Sequence, residues 1–246
     1  MIRADTTEKI DNRYILISES GSDPCFATDL GQICKAYDSS RRSAERRYVS
    51  IMRLHDWCTL LPTDVLASLY RDVACAREVS QSWSRHPAIQ AIVDAKLPDP
   101  DATPENGAGF EDGSDERALE TSEDGEAFYV ALTWVVPVRE PAQLFDSAIR
   151  TADDAVQFII SLCEQLGALY RCTSCLRPPV AIGKLAFAPR VDGNADLILG
   201  DLGFDRFLDQ PRHGPEEERE DVAATAALLT QLLDGILHAQ AGTLAS

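Results

Sequence analysis

Alternating apolar and polar positions predict strands in the first quarter of the chain. The stretches YILISES (14 to 20), GQICKAYD (31 to 38) and RRYVSIMRL (46 to 54) alternate in this way or are rich in branched residues, as strands of a half-buried sheet are. The segment between the first two, GSDPCFATDLG, consists largely of turn-forming residues and is predicted to be a loop. Three strands in succession indicate an antiparallel sheet.

The spacing then changes to that of a helix. From Thr63 to Trp83 apolar residues recur every three or four positions, which predicts an amphipathic helix with Thr63 as its N-cap. The tetrapeptide HPAI interrupts this pattern, and AIVDAKL (91 to 97) predicts a short strand after it.

The second half of the chain mixes strand and helix signals. AFYVALTWVV (127 to 136) is nearly continuously apolar, as a strand buried on both faces is. A short helix is predicted in PVREPAQLFD, a second from Thr151 to Tyr170 with Thr151 as N-cap, and a last one over residues 217 to 237. ADLILG predicts a short strand before the last helix. The stripe expected to be buried on the second helix consists of Val156, Ile159, Ile160, Cys163, Leu166 and Leu169.

Residues 98 to 126 differ in kind from the rest of the chain. They carry Pro, Gly and carboxylates and almost no large apolar side chain. Such a segment cannot bury enough surface to offset the entropy lost on ordering. We therefore expect an acidic, disordered insertion.

Charge excludes some classes of partner. The chain has 40 Asp and Glu against 23 Lys and Arg, a formal net charge of -17. An acidic surface repels phosphate backbones and anionic lipids, which argues against nucleic-acid and membrane partners. We find no leader pattern and no apolar run of bilayer-spanning length, so a soluble cytoplasmic protein is expected.

The cysteines fit that compartment. Seven is an odd number, which favours reduced thiols over a disulfide framework. Cys172 and Cys175 form a CxxC pair, but a structural zinc site requires four ligands. His55 and Cys58 are the candidates for the other two, and buried thiols are the simpler interpretation.

Four short motifs follow the order of those in a protein kinase, and the chain resembles that family over nearly its whole length. HPAI is similar to the family's HPNI turn, EDGEAFYVALTWV to the fifth strand and hinge, ILGDLGFDRFL to the DFG segment, and REDVAATAALLTQLLDGI to the DVYSLGVLLYELLTG helix. The resemblance implies an α+β, bilobal protein-kinase-like fold. Its small lobe, residues 10–136, has an antiparallel sheet plus one helix. Its large lobe, residues 137–246, is mainly helical and truncated after the DVYSLG-like helix.

The resemblance assigns the nucleotide-binding positions of the small lobe. The family covers phosphates with a GxGxxG loop, and here Gly21 and Gly31 are the available glycines, separated by a longer loop that contains proline. Met52 occupies the position of the strand lysine, and Glu78 that of the helix glutamate which pairs with it. A thioether carries no charge for phosphate oxygens, although Arg53 or Arg47 lie close by in sequence.

The hinge and the catalytic loop complete the assignment. The hinge lies near Thr133 to Val135, where a nucleotide base would be bound. In the catalytic loop, HRDLKPEN in the family, the positions of His, Arg and Asp carry Ala181, Ile182 and Gly183 when counted back from Asp201 without a gap. Shifting the register by one places Lys184 at the aspartate position. Neither register supplies a general base.

Asp201 of the DLG motif matches the metal-binding aspartate of DFG. The resemblance implies that it holds a magnesium ion together with phosphate oxygens. The alternative is a capped or salt-bridged remnant without a ligand. ATP with magnesium is the cofactor that the family suggests, but the missing residues leave no cofactor certain.

Three functions remain open. The combined loss of the lysine, catalytic aspartate and asparagine positions predicts a catalytically impaired pseudokinase, a regulatory or scaffolding module that binds proteins. The alternative is an atypical active phosphotransferase or nucleotidyl transferase that uses Asp201, Glu78 and a relocated basic residue such as Arg53 or Lys184. In a third hypothesis the acidic insertion binds a basic partner. Because the family's later helices do not follow the last helix, its apolar face predicts a protein partner or self-association at residues 217–237.

Overall fold

A computed structural model describes residues 9–17, 25–40, 48–84, 86–99, 127–190, 193–208 and 214–244. Gly21 and Arg47 lie outside these ranges, as do residues 100 to 126 of the acidic insertion. The predictions made for them stay predictions.

The N-terminal part, here called the small lobe, is built on an antiparallel sheet. Within the described ranges its strands are β1 (Lys9–Ile10), β2 (Tyr14–Leu16), β3 (Cys25–Ala27), β4 (Gly31–Asp38), β5 (Tyr48–Leu54), β6 (Ile92–Lys96) and β7 (Tyr129–Thr133). They follow the order β1-β2-β4-β5-β7-β6, and β3 pairs with the first half of β4. The predicted loop before residue 31 therefore contains a strand, because the backbone of Cys25–Ala27 continues the pairing of β4.

The two faces of this sheet bury different residues, since neighbours along a strand point to opposite faces. Val49 and Ile51 of β5 belong to an outer core with Tyr14 and Tyr129. Met52 belongs to the main core.

Helix α1 (Thr63–Ser82) packs on the main core through its buried stripe. The predicted helix is confirmed, but Thr63 is its first residue and not its cap. Pro62 takes the cap position, and its carbonyl accepts hydrogen bonds from Val65 and Leu66. The buried residues of the stripe are Leu66, Ser68, Leu69, Asp72, Val73 and Ala76.

The remaining elements form the part here called the large lobe. They are β8 (Val136–Pro137), α2 (Pro141–Ser147), α3 (Ala152–Tyr170), β9 (Leu185–Pro189), β10 (Ala195–Leu199) and α4 (Pro215–Leu244). The three strands pair in the order β10-β9-β8, and α4 packs on α2 and α3. The first turn of α4 is acidic, with Glu216, Glu217 and Glu218.

Helix α3 confirms its predicted cap and corrects its predicted stripe. The Thr151 hydroxyl accepts a hydrogen bond from the Asp154 amide, and the Asp154 carboxylate accepts one from the Thr151 amide. Val156, Ile160 and Cys163 face solvent instead of the core. The buried face is rotated by about one residue because the partners of α3 lie on both sides of it, and it consists of Ala155, Phe158, Ile159, Leu162, Gln165, Leu166 and Leu169.

Helix α4 is longer than predicted. Within the described residues, its segment Glu216–Ala241 is long enough to cross a membrane, and the most apolar 18-residue window of that segment has a mean hydropathy of 1.4 and is 22% buried. Core helices of globular proteins have the same length and hydropathy. One stripe of α4, containing Leu228, Leu232 and Ile236, is buried, whereas Val222 and Leu237 are 70% and 64% exposed.

Candidate functional site

The inner face of β5, which forms the small-lobe side of the candidate site, is apolar. Met52, at the position predicted to replace a lysine, is fully buried. It pairs across the strands with Ile33 of β4 and Val130 of β7. The hydroxyl of Thr28 lies 3.7 Å from the Met52 sulfur. A side chain in these surroundings offers dispersion contacts and no charge.

The predicted glycine Gly31 closes a tight turn beside this face. The Thr28 amide donates to the Gly31 carbonyl at 2.7 Å, and the Gly31 amide donates to the Thr28 hydroxyl at 3.1 Å. A Cβ atom at Gly31 would collide with the Arg53 carbonyl oxygen. Leu30, inside the turn, is fully buried, and its carbonyl accepts from the His55 amide. Gly31 thus serves strand packing here, and the turn places an apolar side chain in the core.

Arg53, a predicted substitute for the missing lysine, follows Met52 directly. It pairs with Gln32 and Tyr129, so it lies on the opposite face of the sheet from Met52.

Helix α1 exposes one carboxylate and buries another. Glu78, the predicted partner of the strand cation, is exposed in the last two turns of the helix. Asp72, by contrast, has no exposed surface. Its oxygens accept hydrogen bonds from the backbone amides of Ser174, Cys175 and Leu176, at 2.8, 2.7 and 3.1 Å. The buried acid of α1 therefore caps the loop that follows α3, here called the hub loop (residues 171–184).

The predicted hinge is held to the segment before β6 by hydrogen bonds of its backbone. The Thr133 amide donates to the Ala91 carbonyl, and its own carbonyl accepts from the Gln90 side chain, both at 2.8 Å. The ammonium of Lys35 lies 4.8 Å from the centroid of the Trp134 ring. Val135 packs beside Gly200, just before the DLG motif. Thr133 and Val135 thus lie where the lobes meet.

Asp201 forms an ion pair at the end of β10. Its Oδ2 lies 2.6 Å from Nζ of Lys184, and its Oδ1 accepts from the Gly203 amide at 2.8 Å. The side chains of Asp201 and Lys184 are 22% and 41% exposed, so the pair faces solvent in part. The β9–β10 hairpin creates this contact, because it pairs Leu185 with Leu199 and so brings the preceding and following residues together.

This arrangement does not fit the magnesium ion that the family resemblance implies. A magnesium ion at Oδ2 would face the Lys184 ammonium, which repels it. Magnesium sites also require several oxygen ligands, and the described part of the chain contains no cluster of three or more carboxylate, histidine or cysteine side chains. The residues around Asp201 resemble the salt-bridged alternative rather than a metal site.

The hub loop also connects the DLG motif to α4. Arg177 binds Asp221 of α4 through two nitrogens, at 2.8 to 3.0 Å, and Glu220 at 3.0 Å. The hydrogen bonds that Arg177 donates to Asp221 and Glu220 raise its pKa, although burial opposes them. Gly203 has a positive φ of 82°, and a Cβ there would collide with the Arg177 backbone. Glycine is therefore required where the DLG turn passes the loop.

A disulfide also ties α1 to the hub loop. Cys75 and Cys172 are bonded, with Cα atoms 6.0 Å apart. This corrects the expectation of reduced thiols for these two residues, and it removes Cys172 from the hypothetical zinc site. The composition argument failed because pairing is decided by distance in space, and these cysteines are 97 residues apart in sequence. Cys58, Cys163 and Cys175 carry thiols.

Sequence reasoning missed Asp72, Arg177 and Cys75. A signal existed for Asp72, because it follows Leu69 by three residues and precedes Ala76 by four, on the apolar stripe of its helix. A carboxylate in such a stripe requires a buried partner. Arg177 and Cys75 carry no comparable signal.

A groove of about 550 Å³ opens behind the hinge. Of the predicted site residues it includes Thr133 in its lining. The end of α1, strand β6 and the β9–β10 hairpin form its walls, which include Ser80, Gln81, Ser84, Val93, Arg190 and Asp196.

Comparisons with known proteins bear on the fold. No protein-family model and no curated protein matches the chain. The crystal structure of the PknI kinase domain of Mycobacterium tuberculosis is similar, with a TM-score of 0.51 and 13% identity over 94% of this chain and 77% of that one. A double mutant of the same domain gives a TM-score of 0.50 and 12% identity over 95% and 77%. At such identities the likeness is one of fold, and the chain has a protein-kinase-like, bilobal α+β fold.

Proposed function

We propose that the chain is a catalytically impaired, kinase-like module that regulates or scaffolds through protein contacts. The observation that carries the proposal is the state of the two cleft residues at family catalytic positions. Met52 is fully buried where a phosphate-binding lysine is expected, and Asp201 is paired with Lys184 where a metal is expected. Phosphoryl transfer depends almost wholly on positioning and on electrostatic stabilisation of the phosphates. Residue 52 has no positive charge to offer the phosphates, and the negative charge of Asp201 is paired with Lys184.

The absence of a general base in the predicted catalytic loop supports the same conclusion. Residues Ala181 to Gly183 carry no ionisable side chain, and Lys184, the alternative in the shifted register, donates to Asp201. A protonated ammonium cannot accept the proton of a substrate hydroxyl.

A transfer assay with labelled ATP, in magnesium and then manganese, tests this proposal. We expect no more label on the chain or on generic protein substrates with the wild type than with Asp201→Ala. Asp196→Ala is the matched control. Asp196 also forms an ion pair, with Arg190 at 3.3 Å, but it lies within strand β10 and outside the DLG motif. Transfer that survives Asp196→Ala and is abolished by Asp201→Ala would overturn the proposal.

The runner-up, an active transferase of atypical mechanism, is favoured by one observation. Lys184 places a cation 2.6 Å from Asp201, and such a cation is able to bind phosphate once a nucleotide displaces the carboxylate. In that case Lys184→Met would abolish transfer, whereas Arg53→Met, on the opposite face of the sheet, would not.

For the binding role, we propose the exposed face of α4 as the contact surface. Val222 and Leu237 are largely exposed, and three glutamates occupy the first turn of the helix. The complementary partner is an apolar surface flanked by basic residues. Fluorescence anisotropy with a basic amphipathic peptide should show binding that Val222→Ser with Leu237→Ser weakens. Light scattering that shows a dimer of the chain, lost in the same variant, would assign the surface to self-association instead.

A further inference from the structure

The hub loop carries a Cys-x-x-Cys sequence whose first cysteine is already in a disulfide. Cys172 is bonded to Cys75 of α1, while Cys175 carries a thiol. The spacing of Cys172 and Cys175 is that of dithiol pairs which form and open reversibly in redox proteins. α1 and the hub loop thus carry three cysteines, two of which are bonded to each other.

We propose that Cys75, Cys172 and Cys175 form a thiol–disulfide exchange site that makes and breaks the covalent link between α1 and the hub loop. The Cys175 thiolate attacks the sulfur of Cys172, a Cys172–Cys175 bond forms, and Cys75 leaves as a thiolate. Cys175 gives its proton to solvent and Cys75 takes one up, so the exchange involves no net oxidation. An external dithiol then reduces the new disulfide with two electrons and two protons and becomes a disulfide itself.

The exposure of these three residues distinguishes the site from the buried thiol of Cys58. Cys75, Cys172 and Cys175 all belong to partly exposed residues. Cys58, in contrast, is fully buried, and burial raises the pKa of its thiol to about 11. Thiolate formation and access decide which cysteines exchange.

The surroundings suit both states of the bond. The Cys172 sulfur lies 3.4 Å from the carbonyl oxygens of Ala168 and Leu169, which would accept a hydrogen bond from its thiol. Asp72, one turn before Cys75, accepts hydrogen bonds from the amides of residues 174 to 176, and these bonds do not involve the sulfurs. Exchange would therefore remove the covalent link at Cys75 while Asp72 still holds α1 to the loop.

The part of α1 that follows Cys75 borders the groove behind the hinge. Beyond Cys75, the last turns of α1 provide Ser80 and Gln81 to the wall of the groove behind the hinge, and Ser84 follows the helix there. The exchange would loosen that wall, so the redox state of the site sets the mobility of the groove.

Non-reducing tryptic mapping tests the proposal on the complete chain. Cys75 falls in the peptide 72–77, and Cys172 and Cys175 fall together in 172–184, since Arg177 precedes a proline. After trapping with an alkylating agent, we expect the two peptides to be linked, with Cys175 alkylated. In graded dithiol buffer the link should be replaced by an internal disulfide of 172–184 with Cys75 alkylated.

Variants and hydrogen exchange make the test sharper. In Cys175→Ser, release of the Cys75 thiol by dithiol should slow about tenfold, since the internal attacking thiol is absent. Cys163→Ser, which removes an exposed thiol of α3, is the matched control and should behave as wild type. Deuterium uptake of residues 76–84 should rise in step with Cys75 release.

Two results would overturn the proposal. One is a wild-type map in which Cys75 and Cys172 are both alkylated under oxidising conditions. The other is a dithiol titration in which the internal disulfide of 172–184 never forms. Both are measured on the wild type, so they stand even if Cys175→Ser does not fold. Neither depends on phosphate transfer, so failure here leaves the proposed function untouched.

Discussion

The positions that the kinase-like fold assigns to its two lobes at the cleft differ in charge. They are here called the small-lobe wall (Met52) and the large-lobe wall (Asp201, Lys184, Arg177 and Asp221). On the small-lobe wall, the position of the expected cation is occupied by Met52, which is fully buried among apolar neighbours. On the large-lobe wall the ionisable residues persist, but each contacts another: Asp201 with Lys184, and Arg177 with Asp221. One wall thus carries no charge at this position, and on the other the charges are paired within the protein.

The difference shows two ways in which such a position presents no free charge, and the two ways differ in free energy. Restoring a charge to a buried apolar position costs several kcal/mol, since the ion loses its hydration. A partly exposed ion pair, in contrast, contributes only about 0–1 kcal/mol and is weakened by salt. On the large-lobe wall, therefore, a single substitution can leave a charge unpaired at little cost in stability.

The largest expected effect concerns Asp72, which joins α1 to the hub loop. Asp72→Ala removes a buried acceptor from three backbone amides, of which that of Leu176 is itself buried, and we expect a loss of about 3–5 kcal/mol in the free energy of unfolding. Asp72→Asn keeps one acceptor oxygen and should lose less. Urea unfolding measures both, and an Asp72→Ala variant as stable as wild type would show that the lobes are joined elsewhere.

The next effect tests the small-lobe wall directly. Met52→Lys places an ammonium in the main core, which should lower the free energy of unfolding by about 3 kcal/mol. The volume-conserving Met52→Leu should cost less than about 1.5 kcal/mol. If Met52→Lys instead keeps wild-type stability and gains ATP binding, the surroundings of residue 52 accept a charge. The contrast drawn between the two walls would then be wrong.

A smaller effect comes from Asp38, a buried carboxylate of the small lobe that forms an ion pair with Arg13. Burial raises the pKa of Asp38, but hydrogen bonds from Arg13 and Ser40 outweigh it and bring the pKa to about 2. The group therefore stabilises the fold fully above about pH 4, its unfolded value, and this contribution of about 2 kcal/mol is lost as the pH falls toward 2. Urea unfolding between pH 5 and pH 2 should show this loss in the wild type, and Asp38→Asn should lack that part of the pH dependence.

The smallest effect on stability belongs to the Lys184–Asp201 pair. Lys184→Met should change the free energy of unfolding by less than about 1 kcal/mol, because the pair is partly exposed. It should, however, allow manganese together with ATP to raise the melting temperature, since Asp201 loses the ammonium that repels the ion and the phosphates supply further oxygen ligands. Asp201→Asn with Lys184→Met is the control and should show no such shift. A manganese response in the wild type would contradict the interpretation of a neutralised wall.

Much of the fold followed from local pattern. Period-two and helical spacing predicted β4, β5, α1 and α3 because such periodicity records which face of an element is buried. The motif order predicted the kinase-like fold, which similarity to solved structures supports. Errors occurred where a neighbour decides, as for the buried face of α3 and for the strand β3.

The candidate site was only partly predictable. Sequence placed Asp201 at the end of a strand and Met52 in a core strand, since both follow from neighbouring residues. It left open whether Asp201 binds a metal or a counterion, because its partner Lys184 is 17 residues away and is brought to it by the β9–β10 hairpin.

The sequence by itself determined what is local: the elements, their order, the acidic balance and the loss of charge at residue 52. Tertiary structure alone decided which distant groups meet, such as Asp72 with the hub loop, Cys75 with Cys172, and Lys184 with Asp201. The reason is physical. Propensity and hydrophobic periodicity act within a few residues, whereas hydrogen bonds, ion pairs and disulfides depend on distances in space that the packing of all elements sets together.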